Sequence, residues 1–328
     1  MNIILENRLK QYTLQSKQDE LNALKEIFQE IALAALSRTD FFKYAAFQGG
    51  TCLRILYGLP RFSEDLDFIL LKTNPNFQWS LFLQTMQLEF EAYGLHLEAT
   101  DRSKADTAIK KAFLKEKSFG QSLTLSYPRN TSDTQSIQIK LEIDINPPRG
   151  STFEVKYLDF PYPFSLTLQD RPSLFAGKCH ALLCRKYVKG RDWFDFIWYV
   201  TQKTPINYDL LEQALYQTGP WEKQPSTPSN KFFRKLSRGV DSRDGQSSNT
   251  GMYVPDEYSE KLIGRDTSGT LSKDWVYGQL HAKILSIDWK EAQQDVARFL
   301  KPREAESLPL WDKDFFIHYL DQLKTIVP

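Results

Sequence analysis

A chain of 328 residues that is 41% hydrophobic and 13% aromatic can build a substantial core, which excludes a disordered polymer and leaves room for about two domains. Its net charge of +1 at pH 7 excludes steering of polyanions by the molecule as a whole, so any nucleic-acid surface must be a local patch. Cys52, Cys179 and Cys184 are too few and too loosely spaced for a disulfide framework or zinc knuckle, no run approaches the ~18 apolar residues of a membrane span, and MNIILENRLK lacks the apolar centre of a secretory leader. The expectation is a reduced, cytoplasmic protein with no membrane partner.

Leu21, Leu24, Phe28, Ile31 and Ala35 recur at helical spacing, which predicts an amphipathic helix over Asp19 to Ser37. FQGGTCLRILYGLPRFSEDLDFIL follows, with Gly49-Gly50-Thr51 opening a short helix and EDLDFILL reading as a strand from about Glu64. Trp79, Phe82, Leu83, Met86, Phe90 and Tyr93 form the stripe of the next helix, closed by Gly94. LHLEATD, SLTLSY and SIQIKLEIDI are predicted strands. In the last, Ile137, Ile139, Leu141, Ile143 and Ile145 share one face and Gln138, Lys140, Glu142 and Asp144 the other, until Pro147-Pro148 stops the ladder. Beyond the Pro-rich FPYPF the chain reads mainly helical, through SLFAGKCHALLCRKYV, RDWFDFIWYV and WDKDFFIHYLDQL. The expected organisation is an α/β (α+β) domain over 1–165 with a leading helix, then a helical domain over 166–328 carrying a polar, weakly periodic insertion at about 239–273.

Asp65 and Asp67 point to one side of the predicted strand, and two carboxylates at that range repel unless a cation joins them. Mg²⁺ suits such a pair, because it takes hard oxygen ligands and brings substrate phosphates with it. Gly49, Gly50 and Thr51 open a helix whose bare N–H groups would face those phosphates, with the Thr51 hydroxyl as a further donor. Arg61 and Ser63, just before the aspartates, are candidate phosphate contacts. A third carboxylate belongs on a neighbouring strand, and both Glu142 and Asp144 offer one. Each piece has a plain reading too: Gly-Gly as a turn, Asp-x-Asp as a solvated strand face. Their order along the chain, glycine turn, helix, Arg-x-Ser, Asp-x-Asp and later acidic strand, favours a site.

This order resembles the nucleotidyltransferase superfamily, and GGTCLRILYGLPRFSEDLDF is similar to the AbiEii-type toxins of type IV toxin–antitoxin systems, which pair Gly-Gly-Thr-x-Leu with Arg-x-Ser-x-Asp-x-Asp-Phe. FAGKCHALLCRKYVKGRDWFDFIW resembles the family's helical lysine followed by Arg-Asp-x-x-Asp, which puts Lys178, Arg191, Asp192 and Asp195 at the corresponding positions. Read without the resemblance, Lys178 is a solvated helix residue, Asp192 and Asp195 are helix-cap or ion-pair acids, and Arg185, Lys186, Lys189 and Arg191 form a local basic patch.

The resemblance implies a polymerase-β-like fold with a small mixed sheet, followed by a helical domain. It implies Mg²⁺- or Mn²⁺-dependent transfer of a nucleotide from a nucleoside triphosphate (NTP) to an acceptor hydroxyl. A tRNA 3′ end as RNA acceptor, a separately encoded antitoxin and a role in phage defence by abortive infection follow from the same source. The expected metal ligands are Asp65, Asp67 and Asp144, with Glu142 the open alternative as third acid. Lys178 and Arg191 would bind the nucleotide, and Lys178, Asp192 and Asp195 would form a catalytic wall. Transfer to a small molecule or protein, and a non-catalytic nucleotide-binding defence protein, are the competing expectations, separable by labelled acceptors and by Mg²⁺-dependent pyrophosphate release.

Overall fold

Residues 2–103, 108–116, 136–221 and 263–326 are described by a computed structural model. Ser16 accepts the N–H of Asp19 and starts α2 (Lys17–Ser37), preceded by the short α1 (Ile3–Leu9). Helix α2 is buried nearly all round because it lies between strands of the sheet and α5 (Ser80–Ala92). Its buried acids therefore need partners. Glu26 meets Arg54 at 2.7 Å, and Glu30 meets Arg8, yet burial still pushes the Glu30 carboxyl up to about 7.

After the single turn α3 (Phe41–Tyr44), strand β1 (Ala45–Gln48) runs straight into α4 (Gly49–Tyr57) and returns as β2 (Leu66–Leu70). Strands β3 (Leu97–Asp101), β4 (Ile109–Glu116), β5 (Ile137–Asp144), β6 (Phe153–Leu158) and β7 (Phe164–Gln169) complete a seven-stranded sheet of order β3-β4-β5-β2-β1-β7-β6. The sheet is mixed: β2 pairs parallel with β5 and β1 with β7, and the remaining neighbours are antiparallel. Phe47, Phe68, Leu141, Ile143 and Leu168 point into the core. Phe41 centres an aromatic cluster there, 4.9 Å from Phe68, 5.1 Å from Phe82 and 5.6 Å from Trp79 between ring centroids.

The C-terminal part is helical: α6 (Arg171–Cys184), α7 (Gly190–Thr201), α8 (Tyr208–Thr218), α9 (Lys273–Ser286), α10 (Trp289–Ala297), α11 (Pro302–Ala305) and α12 (Lys313–Lys324). Helices α7 and α10 touch backbone to backbone, since a Cβ on Gly190 would lie 1.8 Å from the carbonyl oxygen of Ala292. Among the described residues no helix is long and apolar enough to cross a membrane.

Three strands differ from the sequence reading. β4 was hidden because Lys110 and Glu116 occupy buried positions alongside Ala112 and Leu114, which blurs its alternation. β6 and β7 alternate cleanly but flank the Pro-rich turn, so the helical reading begins only at Arg171, and β7 spans residue 165. The predicted strand SLTLSY lies outside the described residues, as does the 239–262 part of the polar insertion; its last residues form a small loop closed by the Arg265–Leu271 bridge.

Candidate active site

Strand β2 begins at Leu66, two residues later than the alternation suggests, so Asp65 stands at its threshold and Asp67 within it. The register of β1, β2, β5 and β4 then sets Gln48, Asp67, Glu142 and Lys111 side by side in one row. Opposed residues on neighbouring strands point to the same face, which brings Asp67 and Glu142 together on the face opposite α2. Asp144 is two positions further along, between Ile69 and Ile109, where its carboxylate accepts the Asn146 N–H at 2.9 Å and burial raises its pKa. Register therefore puts Glu142, the open alternative as third acid, beside Asp67, and Asp144 one step further along the same face.

The glycine turn closes on this row. Gly49 has φ +80°, and a Cβ on it would sit 2.5 Å from Asp67 Oδ2; one on Gly50 would sit 2.6 Å from Arg61 Nη2 and 3.1 Å from Ser63 Oγ. Side chains are excluded at both positions so that the N-terminus of α4 can lie directly against Asp67, Arg61 and Ser63. That terminus has no side-chain cap: Gln48, at the N-cap, spends its amide on the Phe68 carbonyl at 3.0 Å. Uncapped N–H groups at a helix N-terminus are what an anion uses.

The Thr51 hydroxyl and the Arg61 guanidinium are both engaged by the protein. The Thr51 hydroxyl is buried and donates to the Asp65 carbonyl, fixing the approach to β2. Arg61 is buried and gives two bonds to Asp195, at 2.6 and 2.7 Å, and a third to the Phe62 carbonyl at 2.9 Å. Both side chains are thus held by protein partners.

Charge is unevenly distributed across the acidic row. Lys140 bridges Asp65 at 3.3 Å and Glu142 at 3.1 Å, and Lys111 reaches Glu142 at 3.0 Å. Asp67 has no such ion pair among the described residues. Burial, then the charges of Asp65 and Glu142, push its carboxyl up to about 7, against a partial pull from Lys140 and Lys178.

Lys178, from α6, and Asp192 and Asp195, from α7, come together as expected. Lys178 Nζ lies 2.7 Å from Asp192 and 2.8 Å from Asp195, while Arg185 bonds the other oxygen of Asp192. Burial alone would weaken the Lys178 ammonium, but the two aspartates raise its pKa, and against the same burial Lys178 and Arg185 hold Asp192 below the usual carboxylate range. Arg191 turns elsewhere. Its guanidinium packs over Phe299 at 4.2 Å and lies 3.5 Å from Glu64, and its backbone N–H donates to Asp295 at 3.3 Å. Glu64, also 3.0 Å from Lys25, is held low by these cations in spite of burial. Arg185 belongs to the basic patch read in sequence, whereas Glu64 carries no expected role there; its place just before Asp-x-Asp is the available signal.

Asp65, Asp67 and Glu142 are an all-carboxylate oxygen set, the donor chemistry of Mg²⁺ or Mn²⁺. Asp67, charge-burdened and without a cation of its own, is the observation that fits such an ion. Among the described residues no three acidic, His or Cys side chains are already gathered as a cage, and Lys140 supplies the positive charge between Asp65 and Glu142.

The family model described as "Nucleotidyl transferase AbiEii toxin, Type IV TA system" matches residues 31–317. Solved structures similar to the chain include JHP933 from Helicobacter pylori, at 20% identity over 61% of this chain and 74% of that one with a TM-score of 0.41. MenT4, a nucleotidyltransferase toxin from Mycobacterium tuberculosis, is similar at 14% identity over 98% of this chain and 99% of that one, with a TM-score of 0.42. No curated protein sequence matches the chain.

Proposed function

The chain belongs to the AbiEii family of nucleotidyl transferase toxins of type IV toxin–antitoxin systems, and from that premise we propose that it transfers a nucleoside monophosphate from an NTP to the 3′-terminal hydroxyl of tRNA. The observation that carries the reading is Asp67: an acid pushed up to about 7, lodged against the uncapped N-terminus of α4 and beside Glu142. Negative charge awaiting a cation lies next to N–H groups awaiting an anion, the pairing that a metal-bound triphosphate satisfies.

Asp65, Asp67 and Glu142 would hold Mg²⁺, which when bound neutralises phosphate charge and activates the reacting oxygens. The backbone N–H groups of Gly50 and Thr51 orient the triphosphate, with the Ser63 hydroxyl beside them. The acceptor oxygen forms a bond to the α-phosphorus while the bond from that phosphorus to the bridging oxygen breaks, releasing pyrophosphate. The acceptor proton passes to Glu142, a carboxylate on the open face. Lys178 spreads positive potential toward the phosphates, while Asp192, Asp195 and Arg61 position it. Arg191 braces α7 against Glu64. In the cell this activity would block growth until a separately encoded antitoxin neutralises it.

Incubation with α-labelled NTPs, Mg²⁺ and separate pools of total RNA, protein and small hydroxyl compounds tests the reading. Label is expected on the 3′ ends of tRNA, and Asp67→Asn should remove it. Label on protein or a small molecule would replace the acceptor, and absence of pyrophosphate release with every pool would overturn the transfer itself.

A further inference from the structure

Strand β6 is an edge of the sheet, and its exposed side is apolar. Phe153, Val155 and Tyr157 are 39%, 59% and 79% exposed. Their backbone groups are open as well. The Asp170 N–H bonds to the Thr152 carbonyl, and in an antiparallel ladder alternate residues turn their N–H and C=O groups to alternate sides. Glu154, Lys156 and Leu158 therefore bond to β7, and Phe153, Val155 and Tyr157 aim theirs outward, where no described residue receives them. A six-residue edge with one apolar face, no proline and no bulge is a template for another strand.

The sequence of this edge, Phe-Glu-Val-Lys-Tyr-Leu, says which strand. About a two-fold axis at Val155, an antiparallel copy sets Val155 against Val155, Phe153 against Tyr157 and Glu154 against Lys156. All three outward-facing residues then fall into hydrogen-bonded pairs. The two neighbouring two-fold registers are disfavoured, because one opposes Glu154 to itself and the other opposes Lys156 to itself. Shifting by a single residue would set outward backbone groups against inward ones. We propose that β6 pairs with β6 of a second copy of this chain in the register centred on Val155, giving a two-fold dimer with a continuous fourteen-stranded sheet.

Such pairing closes on itself and consumes the edge, as isologous contacts do. The axis is perpendicular to the sheet, so both acidic rows face the same side. Through the registers Phe47↔Leu168 and Phe153↔Gln169, Phe153 shares the row of Asp67 three strands away, which separates the two sites by roughly 35 Å at ~4.8 Å per strand. The contact is small, so a dissociation constant on the order of micromolar is expected.

Sedimentation of the full chain from about 1 to 200 μM tests this, with reversible dimer formation expected. Val155→Pro removes an outward N–H without touching the β6–β7 ladder and should give a monomer with unchanged circular dichroism and unchanged nucleotide transfer. Lys156→Glu should weaken the dimer, and Glu154→Lys combined with Lys156→Glu should restore it. Register is read by oxidation in a Cys184→Ser background: Val155→Cys should link to itself, whereas Phe153→Cys and Tyr157→Cys should link only when mixed. A monomer at every concentration, a dimer indifferent to Val155→Pro, or cross-links in another register would each overturn the proposal. None of these outcomes depends on the assigned activity, which Asp67→Asn tests separately.

Discussion

Two neighbouring ionic clusters handle charge in opposite ways. In the helical wall, Arg61, Lys178 and Arg185 enclose Asp192 and Asp195 at hydrogen-bond distance, so each buried carboxylate has its cations already. In the sheet, Asp65, Asp67 and Glu142 share Lys140 and Lys111, and Asp67 is left over. The first cluster is complete and acts as a rivet between the segment before β2 and α7. The second leaves one buried acid without an ion pair among the described residues. A buried charge satisfied from within holds shape, and one left unsatisfied announces a ligand.

The largest effect should come from removing the unsatisfied acid. Asp67→Asn is expected to lower nucleotide transfer by about a thousand-fold or more, the several kcal/mol a metal ligand supplies, measured as pyrophosphate release under single turnover. Next, Asp195→Ala leaves Arg61 buried without its carboxylate and should cost about 3–5 kcal/mol in urea unfolding. Adding Arg61→Met should return part of that loss. If Asp195→Ala unfolds like the parent chain and loses only activity, the rivet interpretation fails.

A smaller contrast separates the two strand acids. Glu142→Gln should reduce transfer by about a hundred-fold, consistent with an acid that holds metal and takes a proton, while Asp144→Asn stays within about three-fold, since its carboxylate serves Asn146. Equal losses would erase the distinction drawn from register. The smallest effect is on stability. The folded-state pKa of Asp67 lies above its unfolded value, so its contribution is fully present below about pH 4 and is lost as pH rises through about 7. In metal-free protein above pH 7, Asp67→Asn should therefore be more stable by on the order of 1–2 kcal/mol, allowing for partial exposure. Mg²⁺ should stabilise the parent chain and not the variant, with an apparent affinity that falls as pH drops below 7. Thermal melts at pH 5, 7 and 8 with and without Mg²⁺ would show it.

Local pattern carried much of this. The helix from Gly49, the alternation of β5 and the clustering of Lys178 with Asp192 and Asp195 follow from short-range spacing or from family resemblance, and the family match over residues 31–317 agrees with the resemblance. What spacing could not supply was register between distant strands. That Glu142 rather than Asp144 lies beside Asp67 depends on alignment with a residue 75 positions away. Direction of side chains was also out of reach: Thr51 and Arg61 have the right chemistry for phosphate, but the turn folds their donors inward, to the Asp65 carbonyl and to Asp195. Buried Lys110 and Glu116 disguised β4 for the related reason that polarity in sequence is a poor guide to burial when a partner lies far along the chain.

Gly190 works as a gauge for the whole wall. Because α7 rests on the backbone of α10 with no side chain between them, the depth of Asp192 and Asp195 in the cleft is fixed by the thickness of the bare chain. A single methyl at this position would act as a shim, prising the two helices apart and tilting Lys178 away from the acidic row through the aspartates it holds. The geometry of the proposed nucleotide site is thereby set more than a hundred residues along the chain from Asp67, at a contact of bare backbone.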